Sequence, residues 1–153
     1  MTNQTSNPPD RQLISQLPLA EIKVDVKAIE SELATFVPED IVQGIEPLTG
    51  GSLLSCQAGG VSWASHTVVR VSESPDIEAL SARIQESWGR ANEFDFEIRG
   101  TPEDLHRIIL SGEWSQNYFI GMQMGDLRIA SFGPCFELVP ERDGHAWDIS
   151  AEE

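Results

Sequence analysis

The sequence predicts an α+β domain of two layers, with an antiparallel sheet of about five strands and two amphipathic helices on one sheet face. Three observations lead there. Two segments space their apolar residues three and four apart, the period of a helix with one buried stripe. The second half of the chain alternates apolar and polar residues in short runs, the period of half-buried strands. The connections between those late runs are short, and short connections join antiparallel neighbours. The chain has 153 residues, enough for one domain with a substantial core, and shows no internal repeat.

The elements follow in order. Residues 1–14 are polar and include the pair Pro8–Pro9, so they read as a tether preceding a domain over 15–140. In the first helical segment, Leu19, Ile22, Val26, Ile29, Leu33 and Phe36 form one stripe. Glu21, Lys23, Asp25 and Glu30 fall off that stripe. Pro18 suits the start of this helix and Pro38 stops it. Residues 39–50 hold Gly44, Pro47 and Gly50 and read mostly as loop. "SLLSC" reads as a short strand. In "VSWASHTVVRV", Val61, Trp63, Val69 and Val71 share a buried face, while Ser62, His66 and Arg70 share a wet one.

The second helix runs from a Ser74 cap through Pro75 and Asp76, with Ile77, Leu80, Ile84, Trp88 and Ala91 inward. Glu86 and Arg90 stand in the favourable i,i+4 order, and Gly89 weakens the last turn. "FDFEIRG" turns Phe94, Phe96 and Ile98 inward before Pro102 interrupts the chain, and "HRIILSG" follows as a strand. "YFIGMQMGDLRIASF" reads as a hairpin about Gly125–Asp126, pairing Met124 with Leu127, Met122 with Ile129 and Phe119 with Phe132. Residues 141–153 form an acidic tail, with Trp147 as an anchor.

Charge limits the partners. Twenty-five acidic against ten basic residues give a net charge of −15, which repels nucleic-acid backbones and anionic lipid surfaces. A basic protein is the partner such a surface favours on approach, although the same charge also simply maintains solubility. The acids are spread evenly, so no dense mimic of a phosphate backbone is indicated. No run of about 18 apolar residues is present, so no membrane-spanning helix is expected.

Catalytic motifs are lacking. His66, His106 and His145 have no metal-ligand spacing with each other or with cysteine, and no serine sits on a nucleophile elbow. The pair Gly50–Gly51 precedes a strand rather than a helix, so it is no phosphate loop. No cofactor and no catalytic or metal-binding residue is expected. Trp63 and Trp88 belong to buried stripes. Trp114, in "GEWSQN" at a hairpin tip, is the candidate for a partner contact.

The two cysteines stand in "LLSC" and "GPCF". One reading is a bridge between Cys56 and Cys135, tying the first strand to the last; a pair of buried free thiols is the other. Neither cysteine has a neighbouring residue that would activate a thiolate.

Taken together, "GGSLLSC", "VSW" leading into "TVVRV", "SPDIEALSARIQESWG" and the closing "ASFGPCFEL" resemble small actinobacterial cell-envelope lipoproteins of the LppA-like group, over about residues 15–140. That resemblance implies a disulfide between Cys56 and Cys135. It also implies export, with a lipid on a cysteine upstream of a polar tether, so that contact with a membrane runs only through that lipid. The 153 residues contain no signal sequence and no lipobox; with Met1 as the native start, a cytoplasmic location would follow instead. The expected function is a non-enzymatic, extracytoplasmic binding module. The alternative is an acidic immunity or inhibitor protein that neutralises a basic toxin. The sequence indicates no oligomeric state.

Overall fold

In a computed structural model of the chain, residues 14–48, 50–57 and 59–145 are described. The expected tether over 1–14, apart from Ile14, and the anchor Trp147 lie outside them. The fold is α+β with an antiparallel sheet of seven strands rather than five. The elements are α1 (Leu19–Ala34), β1 (Val42–Pro47), β2 (Ser52–Ser55), β3 (Val61–Val71), α2 (Ile77–Ser87), β4 (Asp95–Thr101), β5 (Asp104–Ser111), β6 (Asn117–Gln123), β7 (Asp126–Phe132) and the short α3 (Pro140–Asp143).

The sheet order is β1-β3-β7-β6-β5-β4, with β2 also paired to β3. Eleven-residue β3 organises this arrangement. Its first half pairs with β2 and its second half with β1, on one edge, while β7 takes the other edge. Six of the seven correspond to runs that read as strands; the seventh is β1, in a segment that read as loop. Gly44 lies where the register slips, and Pro47 ends the strand at a sheet edge, where no amide donor is required.

Alternation along the strands separates two faces. Trp63, Val69, Ile108, Leu110, Tyr118, Ile120, Leu127 and Ile129 are all buried on one of them. Against this face lies α1, whose Lys27 and Glu30 bond to side chains of β3 and β7. The stripe Leu19, Ile22, Val26, Ile29 and Leu33 is buried as its spacing requires. Glu30 departs from expectation: it is fully buried. It stands four residues after Val26 and four before Ala34, both buried, so it occupies the inner edge of the stripe.

Helix α2 buries Ile77, Leu80 and Ile84, and ends at Ser87, so Ala91 lies beyond it. Its cap is Asp76, which accepts from the Ala79 amide at 3.1 Å; Ser74 has no such role. The expected Glu86–Arg90 pair does not form. Arg90 instead grips Glu32 of α1 through Nε at 3.0 Å and through a second guanidinium nitrogen at 3.1 Å, and reaches Asp25 at 2.9 Å. The Trp88 indole donates to the same Glu32 at 2.8 Å, and its ring stacks on Phe94 at 5.4 Å. Those donors, Arg90 foremost, hold the Glu32 carboxyl below its ordinary range. A tertiary partner thus displaces the local i,i+4 one, because the chain leaves helical geometry at Trp88.

The β6–β7 turn falls at Met124–Gly125, not Gly125–Asp126. Both turn residues have positive φ, 54° and 90°, as a two-residue hairpin turn of this hand demands. Gln123 therefore pairs with Asp126, Met122 with Leu127 and Phe119 with Ala130. Met124 is 93% exposed, while Met122 is half-buried and packs against the core. On β4, inward burial fades along the strand: Phe94 is buried, Phe96 half-buried and Ile98 exposed.

The beginning of the expected acidic tail is fixed to the domain. Asp143, in α3, accepts from the Leu19 amide at 3.1 Å and the Val139 amide at 3.0 Å, and pairs with Arg142 at 2.8 Å. It thereby supplies the N-terminal cap of α1 that Pro18 cannot. The Arg142 pair and the two amides hold the Asp143 carboxyl at about 2, against an ordinary 3.8. Because the folded value is the lower one, this stabilisation is complete above about pH 4 and disappears as pH falls toward 2. Asp143→Asn should lose about 1–2 kcal/mol at neutral pH. Urea midpoints measured from pH 5 to pH 2 should fall more steeply for the parent chain than for the variant. Parallel curves would remove Asp143 from the cap.

Candidate functional site

The second sheet face is built differently from the buried one. Its side chains, set by the same alternation, come from the neighbouring rows of the register. One row runs Val68, Arg128, Gly121, Arg107 and Arg99 across β3, β7, β6, β5 and β4. The next runs His66, Ala130, Phe119, Ile109 and Glu97. Apart from buried Ile109, these residues are half-buried or exposed, whereas Thr67, Val69, Ile108, Leu110, Tyr118, Ile120, Leu127 and Ile129, each one position along a strand from them, are buried.

Three shallow cavities follow one another on this face, with volumes of about 250, 340 and 320 Å³. The first and second share Arg128 and Ala130; the second and third share Phe132. They make one trough that runs roughly along β7. Near Arg107 and Arg128 the lining is largely apolar, with Phe119, Ala130 and Leu105. Phe119 and Phe132 lie with ring centroids 5.7 Å apart and form the aromatic middle. The far end is polar, with Ser62, Ser115 and Asn117, and it adjoins the cysteines.

Charge is distributed unevenly over this face. Four of the ten Lys and Arg residues stand on it: Arg70, Arg99, Arg107 and Arg128. Arg70 is paired with Glu46 at 3.2 Å and Arg99 with Glu97 at 2.7 Å. Among the described residues Arg107 donates to the Leu105 carbonyl, at 2.7 Å. Among the described residues neither Arg107 nor Arg128 has a carboxylate partner. His66, between Arg128 and Phe132 along the trough, is held below the usual imidazole range, first by burial and then by the Arg128 charge. The imidazoles of His66 and His106 make no hydrogen bond to a hydroxyl or carboxylate among the described residues.

Cys56 and Cys135 form a disulfide, with Cα atoms 6.3 Å apart. Cys56 follows β2 directly. Cys135 stands in a segment that continues past β7, bends at Gly133–Pro134 and pairs with the start of β3 through Val61 and Phe136, at 2.8 and 2.9 Å. The Cys135 amide donates to the Trp114 carbonyl at 2.8 Å, and its carbonyl accepts from the Ser15 amide at 2.6 Å. Trp114 is half-buried with φ of 57°. It is thus less exposed than a hairpin tip suggested, and its backbone braces the bridge. Trp63 and Trp88 are in the core.

The sequence reading found His66 and Arg70 on a wet strand face but missed Arg107, Arg128, Phe119 and Phe132 as a group. Only pairing register assembles them. Alternation in "HRIILSG" and "DLRIASF" carried part of that signal, since Arg128 sits between Leu127 and Ile129 and Arg107 precedes Ile108, apolar residues destined for the other face.

No family model matches the chain, and no curated protein matches it. Among solved structures the chain is similar to a DUF4853 family protein from Actinomyces odontolyticus ATCC 17982, with a TM-score of 0.53 and 14% identity over 80% of this chain and 71% of that one. At that identity the likeness concerns the fold alone.

Proposed function

We propose that this chain is a non-enzymatic, extracytoplasmic binding module whose ligand surface is the sheet face bearing Arg107, Arg128, Phe119 and Phe132. Helices α1 and α2 together cover the opposite face, which leaves this one to a partner. The observation that carries the binding role is the row of adjoining cavities along β7, in which aromatic surface and two arginines without carboxylate partners lie side by side. Half-exposed phenyl rings beside arginines that lack a carboxylate partner offer a ligand apolar contact and charge together. The bridge supports a location in an oxidising compartment, where disulfides persist. A tethered, lipid-anchored form of the protein, like that of the envelope lipoproteins it resembles, fits both.

Site-specific photo-crosslinking in the native host tests the reading. A photoreactive phenylalanine at position 119 should give defined adducts, and the same group at Val24, 73% exposed on α1, should not. Equal adduct patterns from both positions would overturn the assignment of the surface. Thiol trapping in intact cells should find no alkylatable cysteine before reduction, and two reactive thiols would overturn export.

A further inference from the structure

We propose that the trough binds an anionic amphiphile, its carboxylate or phosphate seated between Arg107 and Arg128 and its apolar body lying over Ala130 against Phe119 and Phe132. This rests on the reading of that face as the ligand surface.

The seat follows from the register. Arg128, Gly121 and Arg107 are direct partners on three adjacent strands. Two strand spacings put the arginine Cα atoms about 10 Å apart. The central residue has no side chain, and a Cβ there would come within 3.0 Å of the Arg107 Cβ and 3.2 Å of the His106 carbonyl. The result is a notch flanked by two guanidiniums, each able to offer paired donors to one oxyanion.

The chemistry around the notch selects against other occupants. The chain carries −15 overall, yet among the described residues neither of these arginines is ion-paired, so both charges are available to a ligand. A cationic ligand would meet them head on. A polyanion such as nucleic acid would bring further charges against the acid-rich remainder. A single anion satisfies both arginines and places nothing charged beyond them. The middle of the neighbouring row is apolar, with Ala130 and Phe119 directly paired between His66 and Ile109, and Phe132 follows two residues along β7. From Arg128 to Phe132 the strand runs about 13 Å, the length of a medium acyl chain. Burial and the Arg128 charge disfavour a proton on His66, which lies along the same path.

Calorimetric titration of the intact, bridged chain tests this with decanoate, decyl phosphate, decanol and decyltrimethylammonium. Decanoate or decyl phosphate should bind, the stronger of the two naming the head group, and the neutral and cationic probes should bind at least tenfold more weakly. Arg107→Gln and Arg128→Gln should each weaken binding about tenfold. Arg70→Gln, on the same face but paired with Glu46, should leave it unchanged. Thermal melts that match the parent's will show that the variants remain folded. Decanol binding as tightly as decanoate would overturn the anion seat. Absence of binding by all four probes would overturn the ligand class, and adducts from position 119 would then show that the surface itself still serves a partner. Loss of both would overturn the surface as well.

Discussion

Replacing both cysteines, Cys56→Ala with Cys135→Ala, should cost about 4 kcal/mol of unfolding free energy. The bridge closes a span of 79 residues, from the end of β2 to the segment beyond β7. Loop-closure entropy puts the restraint on the unfolded chain at about 4.5 kcal/mol, from which any unfolded-state structure subtracts. Marginal stability makes such a loss severe, since a domain of this size holds only about 5–15 kcal/mol in total. The loss should be distributed in a characteristic way. Cys135 joins three separate parts of the chain through its backbone, to Ser15 and Trp114, and through its side chain to Cys56. Phe136, fully buried beside it, pairs with Val61 at the start of β3. Amide exchange in the variant should therefore accelerate first at Ser15, Val61, Cys135's position and Phe136. The amides of β6, central in the sheet, should follow only global opening. Chemical denaturation of the two chains measures the total. A loss below about 1 kcal/mol would mean that the hydrogen bonds around residue 135 hold the clasp without its covalent link.

The clasp was legible as one of two readings of the cysteines, and the resemblance to envelope lipoproteins implied it. Both long helices were legible too, since their stripes of three-and-four spacing are each anchored by a proline or an aspartate at the start. What escaped was whatever depended on pairing. The strand β1 contains Gly44 and Pro47, both poor strand residues, and exists because β3 is long enough to offer a second partner site beyond β2. In the β6–β7 hairpin, Gly125 marked the turn, but its partner in it is Met124 rather than Asp126, and that displacement moves Met122 from opposite Ile129 to opposite Leu127. The arginine notch is the extreme case. Residues 107 and 128 are separated by a whole strand and two turns, and nothing local announces that Gly121 will stand between them. Helix α1 shows the same limit from the other side, because a glutamate one position from an apolar stripe reads as solvated until the sheet beneath it proves to carry hydroxyls.

That glutamate sets up the second large effect. Glu30→Ala should destabilise the chain by about 3 kcal/mol. The side chain is fully buried, and its two oxygens accept from Lys27 Nζ at 2.6 Å, Thr67 Oγ1 at 2.7 Å and Ser131 Oγ. Removing it strands two hydroxyls in the layer between α1 and the sheet, where Thr67 and Ser131 are 2% and 1% exposed. Each unpaired buried hydroxyl costs about 1–3 kcal/mol. Lys27 suffers less, because it keeps Ser65 Oγ at 3.1 Å and the His66 carbonyl at 3.2 Å, and retains a route to solvent. The loss therefore originates in the abandoned hydroxyls more than in the broken ion pair. A triple variant separates the two causes. Glu30→Leu with Thr67→Val and Ser131→Ala removes the acceptor and both donors at once and fills the layer with apolar atoms. It should recover most of the single variant's loss, because replacing a whole buried polar group by hydrophobes of similar volume is often neutral. Urea denaturation of parent, single and triple variants decides the matter. If the triple variant is as unstable as Glu30→Ala, the carboxylate's charge beside Lys27 is the stabilising element, and the hydroxyls merely accompany it.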